Sequence, residues 1–257
     1  MTDPRAAQTL EGFVKGMIKI ADIVQREDPS TLFIPIRGAV PLLDALSIVD
    51  PTILSKEHEY LPASSSITDM KQVLYGWLRN YFNETHVAGE RQEILSIDEV
   101  VSGNSAVRVW KQVKRALADH ARDRNLDPEE FSYKTVGLED QRYARAGKVH
   151  GSQYQQMKEE GRVIPVSVPM IVTMDRPELC PVKLVTIPTE HVANRLPVMA
   201  EFAMSPQYLE LLENLCSIVG RNFADVEFQR VGMIRASERF VPKRYFSLEN
   251  YLAKPNA

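Results

Sequence analysis

The stretch ILSIDEVVSGNSAV, Ile94 to Val107, decides how the chain is read. Three of its opening four residues, Ile94, Leu95 and Ile97, are apolar and suit a short buried strand. Asp98 and Glu99 follow, and then the small polar residues Ser102, Gly103, Asn104 and Ser105. From Ser105 to Ala121 the apolar positions Val109, Val113, Ala116 and Leu117 share a helical face, while Arg108, Lys111, Lys114 and Arg115 fall mostly outside it. The local order is therefore strand over Ile94 to Ile97, acidic loop from Asp98, then helix. At the carboxyl end of a strand in an open α/β sheet, such a loop is where ligands bind. Small residues let backbone N–H groups close on a phosphate, aided by the partial positive charge of the helix start. The two carboxylates need a different partner, and vicinal ribose hydroxyls suit them because an ionised carboxylate only accepts hydrogen bonds. A strand end with a Ser or Asn helix cap uses the same residue types, so the stretch alone leaves both readings open.

Working outward, apolar residues at helical spacing from Gln8 to Arg26 predict an amphipathic first helix, closed by Pro29 and Ser30. Leu32 to Ile36 (LFIPI) predicts a strand with Pro35 near its end, followed directly by Arg37 and Gly38. Val40 to Leu46 reads as helix, Lys56 to Leu61 as a short strand, Ser64 to Ser66 as loop, and Asp69 to Phe82 as helix with Thr68 or Asp69 as its cap. Phe131 to Leu138 predicts a further strand, Glu139 to Gly151 a polar loop, and Val163 to Met174 a bent or edge element broken by prolines. A helix from Pro206 to Val219, started by Ser205, and an irregular tail from Phe223 complete the chain. Strands alternating with helices imply an α/β fold with a largely parallel sheet flanked by helices. The expected division is an N-terminal helix (1–29), an α/β core (30–186) and a C-terminal extension packed on it (187–257).

Composition narrows the function. With 257 residues, 44% of them hydrophobic, the chain can bury a large core. A formal net charge of -3 does not suit a polyanion-binding surface, so no nucleic-acid partner is expected. Cys180 and Cys216 lack CxxC spacing, which predicts neither a disulfide framework nor structural zinc and fits a reducing cytoplasm. The five histidines show no HxH or HExxH spacing, so no transition metal is expected. No apolar run approaches the roughly 18 residues of a membrane span, and the start MTDPRAAQTLEGF reads as no signal peptide.

The segment IDEVVSGNSA resembles the phosphoribosyl-pyrophosphate (PRPP) motif of type I phosphoribosyltransferases, which combines a hydrophobic strand, an acidic pair, small residues and a helix start. Upstream, LFIPIRGAVPLLDAL resembles the first strand, Arg-Gly turn and helix of the same family. The matches occur in the family's order and cover about residues 30–140. One departure is visible: three residues, Val100, Val101 and Ser102, separate Glu99 from Gly103, where the family more often has four.

The resemblance implies a phosphoribosyltransferase-like fold with a variable hood, to which the N-terminal helix or the segment Gly161 to Thr186 would contribute. It implies transfer of phosphoribosyl from PRPP to a nucleobase or precursor with release of pyrophosphate. Asp98 and Glu99 would hold the ribose hydroxyls, Ser102, Gly103, Asn104 and Ser105 the 5-phosphate, and Arg37 with Gly38 the pyrophosphate. Mg2+ is expected through PRPP itself, and a homodimer is implied because family members are often dimers. Two alternatives share the fold: a catalytically inactive sensor of PRPP or nucleotide, and an enzyme cleaving a ribose 5-phosphate nucleotide.

Overall fold

A computed structural model describes residues 4–36, 38–64, 70–146, 150–169, 181–186, 198–202 and 205–226. Its centre is a five-stranded sheet in which β1 (Thr31–Pro35), β2 (His58–Leu61), β3 (Gln92–Val100), β4 (Phe131–Asp140) and β5 (Val163–Val168) lie in the order β2-β1-β3-β4-β5. Every neighbouring pair in it is parallel. All five residues of β1 are buried, as a strand covered on both faces requires. Pro35 sits at its last position, where a missing N–H costs least, and β5 carries Pro165 at the sheet edge.

Helices cover both faces. One layer holds α1 (Pro4–Glu27) and α2 (Val40–Val49), joined later by the helix Pro206–Val219. The other holds α3 (Met70–Thr85), α4 (Asn104–Arg124) and, after the short α5 (Gln141–Arg145), α6 (Ser152–Glu159). We label the helix Pro206–Val219 α7; Ser205 caps it by accepting from the Tyr208 amide at 3.1 Å. A separate antiparallel pair is formed by β6 (Val182–Thr186) and β7 (Val198–Phe202).

The chain moves from β1 outward to β2, then returns past β1 to β3. Right-handed crossovers in opposite directions put their helices on opposite faces, and the crevice between them opens at the carboxyl ends of β1 and β3. The first layer is mainly aliphatic: Met17, Ile20 and Val24 of α1, together with Phe13, meet Leu42, Leu46 and the sheet residues Leu32, Ile34, Leu95 and Ile97. The N-terminal helix is thus part of this layer. Gly16 lets it lie close to β5, since a Cβ there would stand 2.5 Å from Val168 Cγ1. The second layer is aromatic, with Phe33 edge-on to Trp77 and Tyr81, whose rings stack at 5.4 Å.

Two sequence boundaries are corrected. The strand expected to end at Ile97 runs on to Val100, because Asp98, Glu99 and Val100 pair with Gly137, Leu138 and Glu139 of β4. The polar loop expected over Glu139 to Gly151 instead begins with the last two residues of β4 and then α5, and α6 follows it where no helix was expected. Arg37, Ser65, Ser66, Thr68 and Asp69 lie outside the described residues. Among the described residues, no helix is long and apolar enough to cross a membrane.

Candidate functional site

Parallel pairing places Asp98 and Glu99 inside β3, so their side chains leave opposite faces of the sheet. Asp98 has the parity of Ile94 and Val100 and faces the α4 and α6 layer. Glu99 has the parity of Leu95 and Ile97 and faces the other. Both are buried, at 4% and 8% exposure. Asn104 joins Ser105, the expected helix start, in the first turn of α4, leaving Val101, Ser102 and Gly103 as the connection.

The turn after β1 meets this strand. A Cβ on Gly38 would stand 3.1 Å from Asp98 Oδ1, so the absence of a side chain at Gly38 is what lets the turn approach the carboxylate. Two motifs sixty positions apart in the chain therefore share one place, at the point where strand order reverses.

Asp98 is an unusual acid. Burial, reinforced by the neighbouring Glu99, pushes its pKa up to about 7, against the opposing effects of Ser105, the Glu99 backbone amide and Arg108. Its Oδ2 is buried without a hydrogen-bond partner, and so are Arg108 Nε and His150 Nε2. Unmet hydrogen-bonding capacity of this kind is costly unless a ligand or a water meets it.

The connection before α4 is shaped from below by Tyr154, which is fully buried. Gly103 has φ +82°, and a Cβ there would fall 2.4 Å from the Tyr154 ring. Gly137 gives way to the same side chain, with its Cβ position 2.4 Å from the phenol oxygen. Tyr154 donates to Glu139 Oε1 at 3.2 Å, and Lys158 donates to the same oxygen at 2.8 Å. Burial and Glu139 together push the Tyr154 hydroxyl's pKa well up, keeping it a neutral donor. The Gly151 amide donates to Ser102 O at 3.1 Å, which ties the start of α6 to the connection. Above it, Ser102 Oγ accepts from the Asn104 amide at 3.4 Å. The early amides of α4 point toward the carboxyl end of the sheet, a geometry suited to an anion.

Sequence reading named Asp98, Glu99, Gly38 and the residues from Ser102 to Ser105, but not Tyr154, Gly137 or Glu139. Tyr154 and Met157, both buried and one helical turn apart, were the available signal for α6. Among the described residues, no group of three or more His, Cys, Asp or Glu side chains is arranged to hold a metal. Asp175, Arg176 and Glu178, which the sequence leaves open as polar contacts to an acceptor or as a turn around Pro177 and Pro181, lie outside the described residues. Compared with protein-family models, curated proteins and solved structures, the chain matches none significantly.

Proposed function

We propose that the chain is a phosphoribosyltransferase-like enzyme that moves phosphoribosyl from PRPP to a nitrogenous acceptor, a nucleobase or a precursor of one, releasing pyrophosphate. The observation that carries this is the approach of Gly38 to Asp98: the upstream and downstream motifs converge at the switch point of a parallel sheet.

In this reading the 5-phosphate sits on the Ser102 to Ser105 backbone at the start of α4. Asp98 Oδ2, which has no protein partner, accepts from a ribose hydroxyl, and Glu99 approaches the ribose from the other face. The Arg37 and Gly38 turn takes the pyrophosphate. The anomeric C–O bond to pyrophosphate breaks as the acceptor nitrogen forms its bond, through an oxocarbenium-like state that the carboxylates stabilise electrostatically. No protein nucleophile is required. Mg2+ brought in on PRPP would offset the charge of the leaving group; it suits the oxygen-only chemistry of a carboxylate and a diphosphate. The donor is an intracellular metabolite, so the proposal carries a cytoplasmic location, and a homodimer is the proposed assembly.

A second reading, a PRPP or nucleotide sensor without transfer, is favoured by the short connection between Glu99 and Gly103 and by the burial of both acids. Calorimetric titration with PRPP and Mg2+, followed by pyrophosphate release across a panel of bases, separates the two. Binding with release supports transfer, and binding without release assigns the sensor. Release of the base from a nucleotide assigns cleavage, with ribose 5-phosphate as the other product in water and PRPP as the other product with pyrophosphate. No binding by the unmodified chain, or equal binding and turnover in the Asp98→Asn, Glu99→Gln double variant, rejects the site.

A further inference from the structure

Two histidines that the sequence leaves thirty-four positions apart meet at the opposite end of the sheet. His120 of α4 is completely buried, and His86, just beyond α3, has a side chain only 1% exposed. His120 Nε2 lies 3.3 Å from His86 Nδ1, and His120 Nδ1 lies 3.1 Å from Asn83 Oδ1 on α3. On its far side His86 Nε2 stands 3.3 Å from Glu130 Oε2, in ion-pair range although not aligned as a hydrogen bond. The Phe131 ring packs on both imidazoles, at 4.6 Å from His86 and 5.9 Å from His120. Glu130 is itself held by the Gly89 and Asp127 amides, each at 3.2 Å.

We propose that the Asn83–His120–His86–Glu130 chain is an acid-sensitive latch, which holds the carboxyl ends of α3 and α4 together and releases them when both imidazoles become cationic. Proton counting gives the mechanism. With Asn83 Oδ1 accepting, His120 carries its proton on Nδ1, and its Nε2 accepts from His86 Nδ1–H. One added proton still leaves a donor facing an acceptor between the two rings, so the chain stays intact. A second leaves an N–H on both His120 Nε2 and His86 Nδ1, opposed across 3.3 Å. Two buried cations with opposed donors cannot hold that geometry.

The surrounding charges set the direction. Arg79 from α3 and Arg124 from α4 face the pair, Asp123 opposes them weakly, and Glu130 is the acid in contact. Burial first, then His86, Arg124 and Arg79, hold the His120 pKa below the ordinary histidine value. The unfolded chain therefore binds more protons there than the native one. The latch contributes fully above that ordinary value of about 6.5 and loses its contribution as pH falls through it toward the lowered native value.

Amide hydrogen exchange on the full chain, corrected for intrinsic rates and compared at about pH 7.5 and about pH 5.5, tests this. Residues at the ends of α3 and α4 should lose roughly tenfold or more protection at the lower pH, while the paired amides of β3 and β4 change little. The double replacement His86→Gln, His120→Gln should remove that difference. Glu130→Gln, at a side chain one-fifth exposed, should move the midpoint to lower pH by roughly half a unit, because it withdraws the anion that favours protonation. Unchanged protection in the unmodified chain, or a pH effect that survives in the double variant, overturns the latch. If the double variant does not fold, Glu130→Gln decides alone: a downward shift supports the latch, and no shift or an upward one overturns it.

Discussion

The two helical layers cover the same sheet but are built from different materials. The α1, α2 and α7 layer is mainly aliphatic, a continuous core from Phe13 through Leu46 to Leu215. The α3, α4 and α6 layer holds stacked aromatics, a buried histidine pair, a buried Tyr154 and the side of β3 from which Asp98 projects. Either composition can bury a sheet, so covering alone does not account for the difference. The first layer buries an acid as well, Asp44, but there the Tyr208 hydroxyl donates to it; in the second layer Asp98 Oδ2 and His86 Nε2 are buried without a hydrogen-bond partner, and groups of that kind cost stability.

The largest effect expected from breaking this contrast lies in the aliphatic layer. Phe13→Ala should cost about 4 kcal/mol in denaturant unfolding, the usual penalty for emptying an aromatic site in a packed core. On the proposed function it should leave the affinity for PRPP per folded molecule unchanged.

Across the sheet, Gly103→Ala should cost about 3 kcal/mol, since the new methyl must displace the buried Tyr154 ring and occupy a left-handed conformation. Unlike the core variant, it should also weaken donor binding by shifting the amides that precede α4.

Asp98→Asn should have the opposite sign. Because the native pKa is raised to about 7 from 3.8, the folded chain binds more protons than the unfolded one between these values, and stability falls as pH rises through that window. Removing the charge should stabilise the fold by roughly 2 kcal/mol at about pH 8 and by little at about pH 4, and on the proposed function it should weaken PRPP binding. Thermal melts across that pH range check the first part and calorimetry the second.

The smallest effect sharpens the comparison within the second layer. Gly76 lies in α3 with nothing within 4 Å of its Cβ position, so Gly76→Ala should raise stability by about 0.5–1 kcal/mol through helix propensity. Two glycines in one layer should thus respond in opposite directions, because only Gly103 faces a fully buried side chain.

Much of the architecture was legible because periodicity is a local property. The 3.6-residue pattern of α1 and α4, the apolar run of β1 and the Ser205 cap of α7 each reside in a few neighbouring residues, and the structure has these elements close to where they were expected. The site was legible only as types and order. Asp98 and Glu99 looked like loop residues because carboxylates are poor strand formers. Pairing with Gly137 and Leu138 of β4 overrides that preference, and no local pattern encodes such a register.

What the sequence alone determined is therefore the succession of strands and helices from α1 to β4, the helix α7, and the identity of two small-residue turns beside an acidic pair. Tertiary structure alone decided that the acids diverge to opposite faces, that Gly38 reaches Asp98, that Tyr154 supports the turn before α4, and that His86 meets His120. Each of these joins residues distant in the chain. Their energies come from burial and from opposed charges or donors at contact distance, quantities that exist only once the sheet has brought the partners together.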